Sequence, residues 1–373
     1  MLGKLKLDRK LLRELDIKLL LSIIAIVIFG SLNIYSATHM RAGTSIFKAQ
    51  LMWLLVGLAV TYVILCIDYS MIQTYAHIIY WLSILLLIIN DTVFKSAVVN
   101  GAASWIKIGG MSIQPSEFAK IAMIIMLSKK LSDMELEINN LKNFFTLAFY
   151  AFVPMILIVI QPDMGMTMVC FFIVLGMFFM AGLSLKVIGW GFAGVTGFIA
   201  LIWNLSIMPV YWKNRLISFI NPNADELGSG LQLLQSKIAI GSGGLLGKGF
   251  MNGTQVSGGF IPEAYNDFIF AVVGEEWGFL GAMCLISLYG YIIYKFIVIA
   301  QTSKDTFGSM LTIGIVSTML FSVLQNVGMT IGIMPITGIT LPFMSYGGSS
   351  MLTYFMGAAL VLNVGMRRKK INF

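Results

Sequence analysis

The residues with the most chemical potential lie in the stretch 262–278, PEAYNDFIFAVVGEEWG. Four carboxylates, Glu263, Asp267, Glu275 and Glu276, stand there at the mouth and upper part of an apolar run. Carboxylates at the edge of hydrocarbon are costly, so such a group marks a functional site by default. Asp267 is the leading candidate. It opens a predicted helix, where an aspartate serves as an N-cap and its charge suits the positive helix end. It equally serves as a general base if an apolar surround offsets the helix end and raises its pKa. On a continuous helix Glu275 would lie about 12 Å deeper and about 80° around from Asp267, so that both line one groove, while Glu276 faces the opposite way. The two glutamates read first as partners for neighbouring helices.

A second constellation fills 100–120, NGAASWIKIGGMSIQPSEFAK. Pro115 suits a helix first turn. Glu117 and Lys120 are spaced to share a helix face and pair. An internal ion pair explains them structurally; the functional alternative has Lys120 meet a diphosphate while Glu117 orients it. Trp105 is either an interface-belt residue or a platform for a sugar. The run Gln161-Pro162-Asp163 breaks the chain between two helices, which makes Asp163 a turn residue. With Glu117 and Asp267 it could also hold a hard divalent cation beside a diphosphate. The glycine-rich 241–249, GSGGLLGKG, fails the nucleotide-loop pattern, because Ser242 and Gly249 occupy positions that need Gly and Ser or Thr. It reads as a turn beneath a surface helix. In 335–350, Gly347 and Gly348 permit close approach of backbone, for helix packing or for a substrate wall.

Such groups need elements to position them. The chain has 373 residues, 58% hydrophobic and 11% charged, with a mean hydropathy of +0.88. That composition specifies an integral membrane protein rather than a soluble domain. A net charge of +8 does not indicate nucleic acid, because the basic residues lie at the chain ends and in short loops. Cys66, Cys170 and Cys284 fall in apolar runs, so neither a disulfide framework nor a zinc site is indicated. The basic start followed by an apolar run reads as a retained signal-anchor helix.

Apolar runs of spanning length predict an all-α polytopic protein with about ten transmembrane helices, at 17–38, 50–67, 75–90, 113–131, 144–160, 165–183, 187–207, 268–299, 307–333 and 346–366. An even count puts both basic termini on one side, and sixteen Lys and Arg fall on that side against eight on the other. The former is therefore the cytoplasm. The chain is one transmembrane domain, 1–373, with a large extracellular loop at 208–267 between helices 7 and 8. Within that loop, LQLLQSKIAI has helical apolar spacing and could lie on the membrane surface. Glu117, Asp163, Glu263 and Asp267 then share the outer face. A transporter places its polar site near the midplane. A cluster at one interface suits a lipid-anchored substrate whose polar head lies outside.

The sequence resembles the SEDS proteins (shape, elongation, division and sporulation), most closely the elongation branch. The resemblance rests on WIKIGGMSIQPSEFAK (105–120), QPDMG (161–165), RLISFINP (215–222), LLQSKIAIGSGGLLGKG (233–249), GTQ (253–255), PEAYNDFIFAVVGEEWG (262–278) and NVGMTIGIMPITGITLPFMSYGGSS (326–350). It implies a peptidoglycan glycosyltransferase that polymerises lipid II at the outer face of the cytoplasmic membrane. Asp267 then matches the catalytic aspartate of the family pattern H-T-D-F-I-F-A. Candidate substrate contacts are Trp105, Lys107, Glu117, Lys120, Gln235, Lys237, Glu263 and Ser345. A divalent cation, Mg2+ or Mn2+, would involve Asp163. The implied partner is a class B penicillin-binding protein that crosslinks the new strand, and bilayer lipids surround the chain. Two positions depart from the pattern: Tyr265-Asn266 replace His-Thr, and Ser104 stands where Arg is frequent. A lipid II flippase and a scaffold for the crosslinking enzyme are the alternative functions.

Overall fold

The computed structural model describes residues 9–94, 104–108, 111–205, 210–221 and 228–368. In chain order the helices are α1 (Arg9–Arg13), α2 (Ile17–Ala42), α3 (Ser45–Cys66), α4 (Tyr69–Thr74), α5 (Ala76–Ile89), α6 (Pro115–Asp133), α7 (Leu141–Ile160), α8 (Met164–Met180) and α9 (Leu185–Asn204). They continue with α10 (Val210–Ile220), α11 (Ser229–Ser242), α12 (Thr254–Ser257), α13 (Ile269–Gln301), α14 (Thr306–Ile331) and α15 (Gly348–Met366). Each of the ten predicted helices coincides with a helical segment. Among the described residues six helices, α2, α3, α7, α13, α14 and α15, are long and apolar enough to cross a membrane, and residues 76–92 and 164–180 form shorter apolar helices.

The helices pack through apolar stripes around α14 and α15, which are buried along most of their lengths. Helix α6 is buried on nearly all sides, which explains its mixed composition: Glu117 and Lys120 face protein, not lipid. Antiparallel alternation leaves two ends. At one, Asp16 pairs with Lys295 at 2.9 Å, Asp68 with Arg367 at 3.3 Å, and Tyr69 donates to Asp305 at 2.6 Å. The other end gathers the candidate site.

Two features of that end differ from the all-helical expectation. Two short antiparallel strands, β1 (Ile106–Ile108) and β2 (Met111–Ile113), pair Ile106 with Ile113, so a strand pair lies ahead of α6. Second, the region 208–267 contains three helices. Its α11 buries Leu233, Ser236 and Ala239 on one face against α13 and α14, and Ser236 donates to the carbonyl of Thr330 at 2.8 Å. The predicted surface helix is thus a packed part of the bundle.

Helix α13 is broken at Gly278, where φ 65° and ψ −163° admit glycine alone among common residues. The break leaves a short arm, Ile269–Trp277, ahead of the long span. The segment 243–249 packs main chain to main chain on this arm. Lys248 N and Gly249 N donate to the carbonyls of Glu275 and Glu276 at 3.0 Å each. A Cβ at Gly247 (φ +80°) would lie 2.2 Å from the Glu276 carbonyl oxygen, so the glycine-rich turn exists for this contact.

Candidate functional site

Asp267 does not begin the helix. The residue flanking α13 is Phe268, and Asp267 occupies the turn 262–268 that leads into it. The N-cap explanation therefore fails, and so does the shared groove with Glu275, which required both on one continuous helix. Glu275 is buried at 0% exposure and accepts from Lys248 Nζ (2.7 Å), Thr254 Oγ1 (3.2 Å), Gln255 N (2.9 Å) and Val256 N (3.1 Å). All its hydrogen-bonding capacity goes into holding 248–256 against the short arm. Glu276 turns the other way, to Ser36 on α2. Both glutamates are structural partners, as their positions suggested.

The turn that carries Asp267 is stitched to the segment 332–347. Asn326 Nδ2 donates at 2.8 Å to the main-chain carbonyls of both Asp267 and Ile339. Ser345 Oγ donates to the Asn266 carbonyl at 2.7 Å and accepts from Leu341 N at 2.8 Å. Tyr346 N donates to the Tyr265 carbonyl at 3.0 Å. Ser345 is thus a buried staple between the two segments. Asn266, at a position where the pattern has Thr, donates to Glu263 Oε2 at 2.8 Å and fixes that carboxylate one turn before Asp267.

Gly338 (φ +76°) passes beside the Asp267 side chain. A Cβ there would meet Asp267 Oδ2 at 3.3 Å and the Arg215 guanidinium nitrogens at 3.7 and 3.8 Å. The backbone at Gly338 thus lies against both an acid and a cation, and a side chain there would press on the acid. Arg215 reaches that backbone from α10, which is anchored where Trp212 Nε1 donates to the Pro162 carbonyl at 3.0 Å. The same α7–α8 turn presents Asp163, whose Oδ1 accepts from Met166 N at 3.0 Å and whose Oδ2 accepts from Gln114 Nε2 at 2.8 Å. Asp163 caps α8 and ties it to Gln114, the residue that leads into α6. Gly165 lets the chain pass, since a Cβ there would lie 2.6 Å from the Thr337 carbonyl oxygen.

Burial raises the Asp267 carboxyl, Glu263 and Asp163 push it further, and Arg215 opposes them; the balance puts it at about 7. Burial also holds the Arg215 guanidinium below its ordinary range, against the pull of Asp267 and Asp163. Asp163 is raised as well, chiefly by burial. An acid poised near neutrality beside an opposite charge suits proton transfer. Activity that needs the ionised acid should rise about tenfold per pH unit below 7 and level off above it. Glu263→Gln removes one raising charge, so the rise should move to lower pH. A flat profile of kcat/KM from about pH 5.5 to 8.5 would contradict this assignment.

The other sequence candidates fall elsewhere. Lys120 and Glu117 form an ion pair at 2.6 Å with exposures of 2% and 5%; Thr353 Oγ1 donates to the same carboxylate oxygen at 2.6 Å, and the ammonium lies 4.8 Å from the centre of the Tyr354 ring. The pair is enclosed between α6 and α15, and the cavity beside Lys120 has about 10 Å³, roughly room for one water. Trp105 is half-buried at the start of the strand pair. Gln235 is half-buried on α11, and Lys237 is exposed with its stem over Gly332. The Lys107 side chain and residues 95–103 and 109–110 lie outside the described residues.

Among the described residues no three of His, Cys, Asp or Glu converge to hold a metal ion. Both oxygens of Asp163 and one of Glu117 are already engaged, so these side chains do not form a cation cage. The residue missed by sequence reasoning is Arg215. In the sequence it reads only as one of the loop charges, although it opens the matching segment RLISFINP, and that position is the available signal.

Helices long and apolar enough to cross the membrane, gathering an acid and a guanidinium at one end, define a multi-pass membrane protein with a polar site there. The chain belongs to the FtsW/RodA/SpoVE family of cell cycle proteins, whose family model matches residues 13–370. It is similar to the peptidoglycan glycosyltransferase MrdB of Escherichia coli K12, 34% identical with 96% of this chain and 95% of the relative aligned. The peptidoglycan glycosyltransferase RodA of Treponema pallidum is 32% identical, over 95% of this chain and 98% of that protein. Among solved structures, a chain of a peptidoglycan synthase complex that coordinates polymerisation and crosslinking superimposes with a TM-score of 0.81 at 30% identity, covering 95% of this chain and 99% of that one. The rod shape determining protein RodA of Thermus thermophilus gives 0.71 at 27% identity, over 95% and 98%. The chain is a multi-pass protein of the cytoplasmic membrane.

Proposed function

We propose that this chain is a peptidoglycan glycosyltransferase that polymerises lipid II for cell elongation and shape. The observation that carries the proposal is the Asp267 carboxyl, held near neutrality beside Arg215 and the Gly338 backbone, in a chain whose full-length relatives are named for that activity. The end that bears Asp267 is the outer one, because the basic termini and most Lys and Arg mark the opposite end as cytoplasmic. Ten spans with both termini inside agree with that assignment. Lipid II keeps its polyprenyl chain in the bilayer and offers its sugars and diphosphate at that interface.

Asp267 accepts the proton of the acceptor N-acetylglucosamine 4-hydroxyl. The freed oxygen attacks the anomeric carbon of the donor muramyl unit, and undecaprenyl diphosphate leaves. One displacement inverts that carbon. Trp105, Lys107, Gln235, Lys237 and Glu263 are the proposed contacts to sugars and peptide around this centre. A divalent cation, Mg2+ or Mn2+, would enter with the diphosphate rather than wait in a protein cage, and no step above depends on it. A class B penicillin-binding protein is the proposed partner, consistent with the similarity to a chain of a synthase complex.

The test is glycan polymerisation by the purified protein from purified lipid II, with and without that partner, alongside a translocation assay in liposomes. Glycan strands without translocation are expected. Translocation without strands would favour a flippase, and neither activity without the partner's own catalysis would favour a scaffold.

A further inference from the structure

An acid that takes up a proton during reaction must stand in one place, since a misplacement of about 1 Å can cost about a hundredfold in rate. The helix that follows Asp267 gives it little help. The arm Ile269–Trp277 ends at the Gly278 break, where φ is 65° and ψ −163°, so the long span beyond does not continue its axis. A helix shorter than about 12 residues is marginal by itself. The aim of the arm is therefore set by what packs beside it.

Among the described residues, two side-chain hydrogen bonds tie the arm to another spanning helix, and both go to α2. Ser36 Oγ donates to Glu276 Oε1, and Trp277 Nε1 donates to Asn33 Oδ1 at 3.2 Å. The Trp277 ring also meets Phe29 edge-on, with centroids 5.1 Å apart. Asn33, Ser36 and Glu276 are all buried. The hairpin of α2 and α3 meets, in addition, the segment that staples the Asp267 turn. A Cβ at Gly30 would lie 2.6 Å from the Met344 carbonyl oxygen, and one at Gly348 would lie 2.4 Å from Trp53 Cε2. Gln50 Nε2 donates to the carbonyl of Ser345 at 3.3 Å, the residue whose hydroxyl holds the Asn266 carbonyl. Gly30, Asn33 and Ser36 recur at three-residue intervals and form one stripe of α2. That stripe touches both the arm that follows Asp267 and the segment stitched to its turn.

We infer that Asn33 and Ser36 are positioning residues for glycosyl transfer: the α2–α3 hairpin, which lends no group to the chemistry, is a brace that registers the arm against 344–348 and so fixes where the Asp267 carboxylate stands. Glu275 does not share this task, because its bonds end on the 248–256 segment rather than on a spanning helix. Asn326 and Ser345 hold the main chain of the turn, while α2 fixes the helix into which the turn opens. Without Ser36, a carboxylate with 1% exposure loses its hydroxyl donor. A buried acceptor left unpaired is costly, so the arm shifts to recover a partner and carries the turn with it. The brace acts on the glycosyl transfer proposed above, on which this inference rests.

The test measures kcat and KM with purified lipid II, and melting temperature in detergent, for wild type, Ser36→Ala, Ser36→Thr, Asn33→Ala and Ser31→Ala. Polymerisation by wild type establishes the function itself, so its failure would be recognised separately. Ser36→Ala should lower kcat about ten- to a hundredfold. Its KM should stay within about twofold of wild type, because substrate still binds where the acid is misplaced. Ser36→Thr restores the hydroxyl and should recover most of the loss. Asn33→Ala removes the acceptor of Trp277 and should lower kcat about tenfold, again at unchanged KM. Ser31→Ala is the control. Its buried hydroxyl bonds within α2, to the Val27 carbonyl at 2.7 Å, so kcat should not move. A wild-type kcat in Ser36→Ala or Asn33→Ala, or an equal loss in Ser31→Ala at a matching melting temperature, overturns the inference. If one of the two bracing variants does not fold, the other decides by the same criteria.

Discussion

Asp267→Asn is expected to stop glycan polymerisation, with a loss of about three to four orders of magnitude, the upper range for a positioned general base. The substitution keeps the shape of the side chain and removes its basicity. The turn should survive it, because the bonds that fix it end on main-chain or neighbouring atoms: Asn326 reaches the Asp267 carbonyl, and Ser345 reaches that of Asn266. Melting temperature and lipid II binding should therefore match wild type while strand formation is lost. Strand formation at the wild-type rate would remove Asp267 from the mechanism, whatever its surroundings.

Lys120→Met should produce the largest loss of stability. Its ammonium is 2% exposed and compensates Glu117 at 2.6 Å. Removing one member of a buried ion pair strands the other charge and typically costs about 3–5 kcal/mol. The double variant Lys120→Met with Glu117→Gln removes both charges and should recover most of that loss, since Thr353 can still hydrogen-bond the amide. Thermal unfolding of the purified variants in detergent, read as a double-mutant cycle, measures the coupling. Polymerisation by the double variant adds a second readout. A structural pair predicts that activity returns with stability; a pair that binds diphosphate predicts a stable protein that stays inactive.

How much was legible in the sequence depends on the range of the interactions involved. The long apolar runs were, since hydropathy is a local property and each predicted helix has its counterpart. Starts shifted where polar residues open a helix: α3 begins at Ser45 and takes in Lys48, which an apolar threshold skips. The pairing of Glu117 with Lys120 followed from helical spacing alone. The strand pair at 106–113 was not legible, because its residues also suit a helix approach and its register depends on chain reversal. Asp267 was found by its type and by the matching motif, yet its place before the helix rather than on it depends on Gly338, Asn326 and Ser345, which lie far along the chain. Arg215 was missed for the same reason: nothing near it in sequence announces that α10 brings it to an acid more than fifty residues away.

The break at Gly278 also bears on how freely the exterior of this protein can drift. Across it, the amides of Lys248, Gly249, Phe279 and Leu280 bond to the carbonyls of Glu275, Glu276, Gly244 and Leu245 at 2.9–3.1 Å. A joint made of amides and carbonyls is indifferent to which side chains hang from it. Leu245, Leu246, Phe279 and Leu280 point outward and are well exposed. Selection can therefore exchange these four among apolar alternatives, matching a different bilayer or neighbouring helix, without disturbing the aim of the acid on the far side of the joint. The glycines that let the strands of backbone touch have no such freedom.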